Sequence, residues 1–168
     1  MVNREIEVLA GELGAALRAA GWFCASAESC TGGLLAAALT TRPGSSAWFD
    51  RGFVTYSNAA KVEQLRVGND TLERFGAVSE ETAMEMAAGV LATARGAHLA
   101  LSTTGIAGPG GATPGKPVGM VCFGIARRAA SGIVTRAVTQ VFEGDREAVR
   151  LAAVGFALRA ALEEMKRR

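Results

Sequence analysis

The chain carries a single histidine, His98, set inside an apolar run. A Ser-His-Asp relay is therefore disfavoured. Cysteine is scarce: Cys24, Cys30 and Cys122 form an odd set without CxxC spacing. That argues against a disulfide framework and a zinc site, and no other metal-ligand spacing occurs. A reduced, cytoplasmic compartment is the simplest reading. No apolar stretch approaches the ~20 residues of a membrane span, and residues 1–5 run straight into an amphipathic pattern without a signal-type apolar core. Charge of one sign is also missing. The net charge is +2, and the one basic cluster, residues 166–168, reads as a solvated helix terminus. Neither a membrane nor a nucleic-acid partner is expected. GxxxxGK[ST] is absent, GxGxxG does not open a helix, and no repeat or low-complexity segment occurs.

What is present is 168 residues with 49% apolar content, enough for one domain over residues 1–168 with a real core. Ile6, Leu9, Leu13, Leu17 and Ala20 fall at helical spacing, with Gly21 as the stop. A short strand is predicted over 22–27, a helix over 33–40, and a second strand over 52–56. Asn58 is the expected N-cap of a helix carrying Lys61 and Leu65. A polar link over 68–70 precedes a short helix ending near Gly76, and Ser79-Glu80-Glu81 opens a helix to about residue 95. Strands are predicted over 97–103, 118–126 and 133–142, and a long helix follows Gly144-Asp145. The segment 105–117, with five glycines and three prolines, is expected to be a loop. Helix-separated strands pair in parallel and consecutive ones antiparallel. The fold class expected is therefore α/β: three layers, α/β/α, around one mixed sheet of about five strands.

Chemistry concentrates in three places. Ser29 ends the first strand in Ala27-Glu28-Ser29-Cys30-Thr31-Gly32-Gly33, where backbone N–H groups opening a helix could stabilise an oxyanion. By itself this also reads as a Ser/Thr helix cap with glycines for a tight turn. Lys61 follows the second strand, whose end should lie beside the first. A desolvated lysine there loses its proton more readily and could activate the serine, although a lone lysine is commonly a solvated helix residue. Tyr56 and Asn58 offer hydrogen bonds to a polar substrate, or merely finish the strand and cap the helix. Thr103-Thr104-Gly105 opens the glycine-rich loop, which could cradle a phosphate or be structural. Arg146, with Arg150 one turn on, could hold a phosphate or pair on the surface. Cys30 is a rival nucleophile, but adjacent side chains on such a turn point different ways, and burial is the plainer role.

The segments AESCTGGLLAAALT, PGSSAWFDRGFVTYSNAAK, GAVSEETA, TGIAGPGG, KPVG and GDREAVR, spread over nearly the whole chain, closely resemble the CinA C-terminal family. Its enzymatic members are nicotinamide-nucleotide amidohydrolases. The resemblance implies hydrolysis of the carboxamide of nicotinamide mononucleotide, with Ser29 in the nucleophile position and Lys61 as its partner. It implies Thr31, Tyr56, Thr104 and Arg146 around a small-molecule nucleotide, and the readings of the turn, the α-helical cap and the glycine-rich loop place Gly32, Gly33, Asn58 and Gly105 beside them. It further implies no cofactor, no metal, a homo-oligomer, and the stand-alone form of a domain that also occurs fused behind another. Ala60 stands where the family pattern has Glu, and Ala112 and Gly115 where it has Gly and Glu. The competing readings are a catalytically silent nucleotide-binding domain and an amidase for another small carboxamide.

Overall fold

The computed structural model describes residues 2–167. Met1 and Arg168, the outermost residues of the N-terminal segment and the basic tail, lie outside the described residues.

Helix α1 (Arg4–Ala20) starts where the Asn3 side chain accepts from the Ile6 N–H and stops at Gly21, which takes the left-handed conformation of a helix terminator. Strand β1 (Cys24–Glu28) leads into α2 (Leu34–Leu39), a 3-10 turn (Ser45–Ala47) and β2 (Phe49–Val54). Helices α3 (Asn58–Leu65), α4 (Asn69–Phe75) and α5 (Glu80–Thr93) precede β3 (Leu99–Gly105), β4 (Met120–Ala129) and β5 (Gly132–Val141). Helix α6 (Arg146–Lys166) begins at an Asp145 side-chain cap and completes the fold.

The five strands form one sheet in the order β2-β1-β3-β4-β5. Strand β1 is parallel to β2 and β3, while β4 and β5 add as an antiparallel hairpin. Side chains alternate across the sheet, so its two faces have different chemistry. Cys24, Leu99, Leu101, Phe123 and Ile125 pack with α1, α2 and α6. Ala25, Ala27, Ala100 and Ala126 pack with α3 and α5 on the other face. The smaller side chains let α5 approach so closely that Ser102 donates to the Ala83 carbonyl. The architecture is three-layer α/β/α.

Glu28 lies level with Val54 in β2 and Thr103 in β3. The chain leaves β1 toward β2 on one side and reaches β3 on the other, which opens a crevice at the carboxyl end of β1 where ligands commonly bind in open α/β sheets.

Several expected boundaries move. Strand β2 begins at Phe49, three residues early, because its exposed Asp50 and Arg51 hide an edge strand from an apolar pattern. Tyr56 consequently falls beyond the strand. Ser57, not Asn58, caps α3, its hydroxyl accepting from the Ala60 N–H at 3.1 Å, and Asn58 is the first helical residue. Asn69 and Asp70 open α4 rather than linking to it. Gly105 still belongs to β3, opposite Val121.

Candidate active site

Ser29 and Lys61 meet at the crevice. Lys61 Nζ lies 3.1 Å from Ser29 Oγ, 2.9 Å from the Thr55 carbonyl oxygen and 3.2 Å from that of Tyr56. Lys61 is 1% exposed and Ser29 9%. Burial pushes the lysine below its ordinary value of 10.5, against a smaller opposing effect from the neighbouring Cys30. The carbonyl pair has a directional consequence. A neutral amine has two N–H groups, and Thr55 and Tyr56 can accept both. Its lone pair then faces the Ser29 hydroxyl. In the ammonium form all three N–H groups find acceptors, and the Ser29 proton is left to the Tyr56 carbonyl at 3.5 Å.

The turn after Ser29 differs from the expected anion cradle. Glu28 is fully buried, and its carboxylate accepts from Thr31 Oγ1 at 2.6 Å and from the N–H groups of Gly33, Leu35 and Ala36 at 2.8–3.0 Å. The strand's last side chain therefore caps α2, the role that the Ser/Thr cap reading gives to this turn's hydroxyls. Gly32 N–H closes the turn onto the Ser29 carbonyl at 3.0 Å. Among the described residues, the turn's N–H groups without a protein partner are those of Cys30 and Thr31. The Gly32 and Gly33 N–H groups are thus not open to an oxyanion. The Thr31 side chain is buried, giving its proton to Glu28 while Thr103 Oγ1 lies 2.7 Å away. It supports the turn and does not line the crevice.

The remaining expected residues divide. Tyr56 is 59% exposed, and its hydroxyl accepts from Arg146 Nη2 at 3.1 Å. Arg146 Nη1 donates to the Gly108 carbonyl at 2.9 Å, tying the start of α6 to the glycine-rich loop. A cavity of about 290 Å³ adjoins this arginine, lined also by Leu34, Glu147, Arg150 and Leu151. Thr104 is buried and donates its proton to the Ala77 carbonyl at 2.7 Å, so its hydroxyl cannot serve an oxyanion as placed. Gly105 is required by packing: a Cβ there would sit 2.6 Å from the Met120 carbonyl oxygen. Asn58 is exposed at the start of α3.

Sequence reasoning missed the roles of Glu28 and Arg150. Glu28 stands next to the serine in the quoted motif, and a carboxylate five to eight residues before helical N–H groups was the available signal. Arg150 donates to the Cys30 and Thr31 carbonyls from 120 and 119 positions away, and no local pattern announces that. Cys30 is buried in the core with its thiol pushed up to about 12 by burial, which removes the thiolate a nucleophile needs. His98 stacks on Trp22 and accepts from the Phe23 N–H, away from the crevice. Among the described residues no three His, Cys, Asp or Glu side chains group as metal ligands, and no helix is long and apolar enough to cross a membrane.

Fold and site together define an α/β protein with a buried serine–lysine pair at the carboxyl edge of its central parallel strand. The chain belongs to the CinA C-terminal domain family, whose model matches residues 6–165. It is 57% identical over 164 residues to the nicotinamide-nucleotide amidohydrolase PncC of Enterobacter agglomerans, an alignment covering 98% of each chain. It is 58% identical over 134 residues to a CinA-like protein of Chloroherpeton thalassium, covering 80% of this chain but 32% of that longer one. Among solved structures, competence damage-inducible protein A from Klebsiella pneumoniae superposes with a TM-score of 0.90 at 42% identity, covering 96% of this chain and 97% of that one.

Proposed function

We propose that the protein hydrolyses the carboxamide of nicotinamide mononucleotide to nicotinate mononucleotide and ammonia, in pyridine-nucleotide recycling. The observation that carries this reading is the buried 3.1 Å approach of Lys61 Nζ to Ser29 Oγ, in a chain 57% identical to a nicotinamide-nucleotide amidohydrolase. Neutral Lys61, its two N–H groups on the Thr55 and Tyr56 carbonyls, accepts the Ser29 proton as Oγ attacks the amide carbon. The developing oxyanion is met by the Cys30 and Thr31 N–H groups. The protonated lysine returns the proton to the departing ammonia. Water, deprotonated by the same lysine, then cleaves the acyl-enzyme, and the lysine passes that proton to the departing Ser29 Oγ.

Arg146, Tyr56 and the loop from Ile106 to Gly119 form the rim that would hold the rest of the nucleotide. Arg146 is the guanidinium for its phosphate. Thr31, Gly32, Gly33, Thr104 and Gly105 shape the crevice from behind, and Asn58 lies at its exposed edge. We read residues 1–168 as one amidohydrolase domain acting in the cytoplasm as a homo-oligomer. Three unpaired cysteines suit a reducing compartment, and the outer edge of β5, with exposed Ile133, Val134 and Val141, suits self-association.

The test is ammonia release from nicotinamide mononucleotide compared with free nicotinamide. Turnover of the mononucleotide alone is expected. No release above blank would sink the reading, and equal turnover of free nicotinamide would move it to another small carboxamide.

A further inference from the structure

We propose that Arg150 is a positioning residue for the Ser29 turn, holding the Thr31 N–H toward the reacting carbonyl; this rests on the amidohydrolase reading. Its Nε donates to the Cys30 carbonyl at 3.1 Å and its Nη2 to the Thr31 carbonyl at 3.0 Å. A guanidinium is a rigid planar fork, so gripping two successive carbonyls fixes two successive peptide planes. In a trans peptide the N–H points opposite to the C=O. With the Cys30 carbonyl turned to Arg150, the Thr31 N–H is turned away from it.

Two further observations give this grip a purpose. Gly32 has φ +57°, and a Cβ there would lie 3.2 Å from Arg150 Nη2. The glycine both permits the turn and leaves room for the guanidinium. On the other side Glu28 holds the Thr31 hydroxyl and the N–H groups of Gly33, Leu35 and Ala36. The turn is therefore clamped from α6 and from β1, and the two N–H groups left without a protein partner among the described residues are those next to the serine. Helix α6 thus acts on the site without placing a group on the reacting atoms.

The experiment compares wild type, Arg150→Met, Arg150→Lys and Arg150→Ala in the ammonia assay, with melting temperature measured alongside. Arg150→Met should lose on the order of 10²-fold in kcat, as for a displaced oxyanion donor, with KM changed less than about threefold. Arg150→Lys keeps charge and reach but contacts one carbonyl, so it should recover only part of kcat. Millimolar guanidinium should raise the kcat of Arg150→Ala and leave Ser29→Ala unchanged, a rescue that a purely structural role would not show. Wild-type kcat in Arg150→Met, a rise in KM alone, or unfolding of both the Met and Lys variants would each overturn the proposal. The rate at which a fluorophosphonate labels Ser29, with Oγ displacing fluoride, makes the same comparison without nucleotide. Silence of the wild type on nicotinamide mononucleotide would defeat the amidohydrolase reading, while equal labelling of wild type and Arg150→Met would defeat this one.

Discussion

In the proposed mechanism Lys61 is the residue whose protonation state governs the site. If it serves as a base it must be neutral, and arginine stays protonated at any working pH. Lys61→Arg should therefore lose on the order of 10²-fold or more in kcat, nearly as much as Lys61→Ala, read by steady-state kinetics. A near-normal kcat with raised KM would make Lys61 a substrate-binding cation instead. Burial lowers the Lys61 pKa, so wild-type activity should rise with pH through that lowered value and then level. Stability follows the same group with a fixed sign. The folded protein disfavours the ammonium relative to the unfolded chain, so stability is lost as pH falls from 10.5 toward the folded value and is constant below it. Cys24 and Cys30, pushed up to about 12 by burial, act oppositely: they favour the folded state below 9.0, and that contribution fades toward pH 12. The difference in unfolding free energy between wild type and Lys61→Met isolates the lysine. That difference should move in favour of the wild type as pH rises toward 10.5. A difference independent of pH would show that Lys61 ionises in the folded protein as it does in water.

At the scale of elements, the junction of β1 with α2 depends on a carboxylate rather than on the serine. Gly33, at the N-cap of α2, offers no side-chain hydrogen bond, and Glu28 supplies the missing acceptors. Glu28→Ala would take the acceptor from three N–H groups, that of Leu35 buried and those of Gly33 and Ala36 partly buried, and leave the Thr31 hydroxyl with Thr103 alone, at about 3 kcal/mol or more by denaturant titration. Ser29→Ala removes no helix cap and should cost under about 1 kcal/mol while abolishing turnover. The pairing of a stable, inactive Ser29→Ala with an unstable Glu28→Ala separates chemistry from scaffolding. The reverse order of stabilities would refute this division. The same junction shows the reach of local pattern. The strand, the turn and the helix over 33–40 were legible within two residues, because small-residue spacing and glycines mark them. Glu28 was not legible as a cap, since its role depends on which face of β1 it occupies and on α2 folding back over that face.

For the whole molecule, the sheet order decides how distant segments share one crevice. Residues from the end of β1, the end of β2, the loop after β3 and the start of α6 converge there. The chemistry proposed needs no group from outside the chain, so ammonia release should survive exhaustive chelation and dialysis. Loss restored by a single divalent metal would contradict the serine–lysine mechanism.

Sequence alone determined the kinds of element, their order, the mixed three-layer class and the pairing of Ser29 with Lys61. Apolar periodicity, caps and glycine punctuation are local signals, and adjacent parallel strands bring their carboxyl ends together by geometry. It could not assign the 3.1 Å contact, the two carbonyls that direct the lysine lone pair, or the loss of the Thr104 hydroxyl to Ala77. Nor could it show that an arginine 120 positions away grips the turn beside the serine. Those depend on side-chain direction and on contacts between segments far apart in the chain, which exist only once the sheet has closed its order and the helices have docked on its faces.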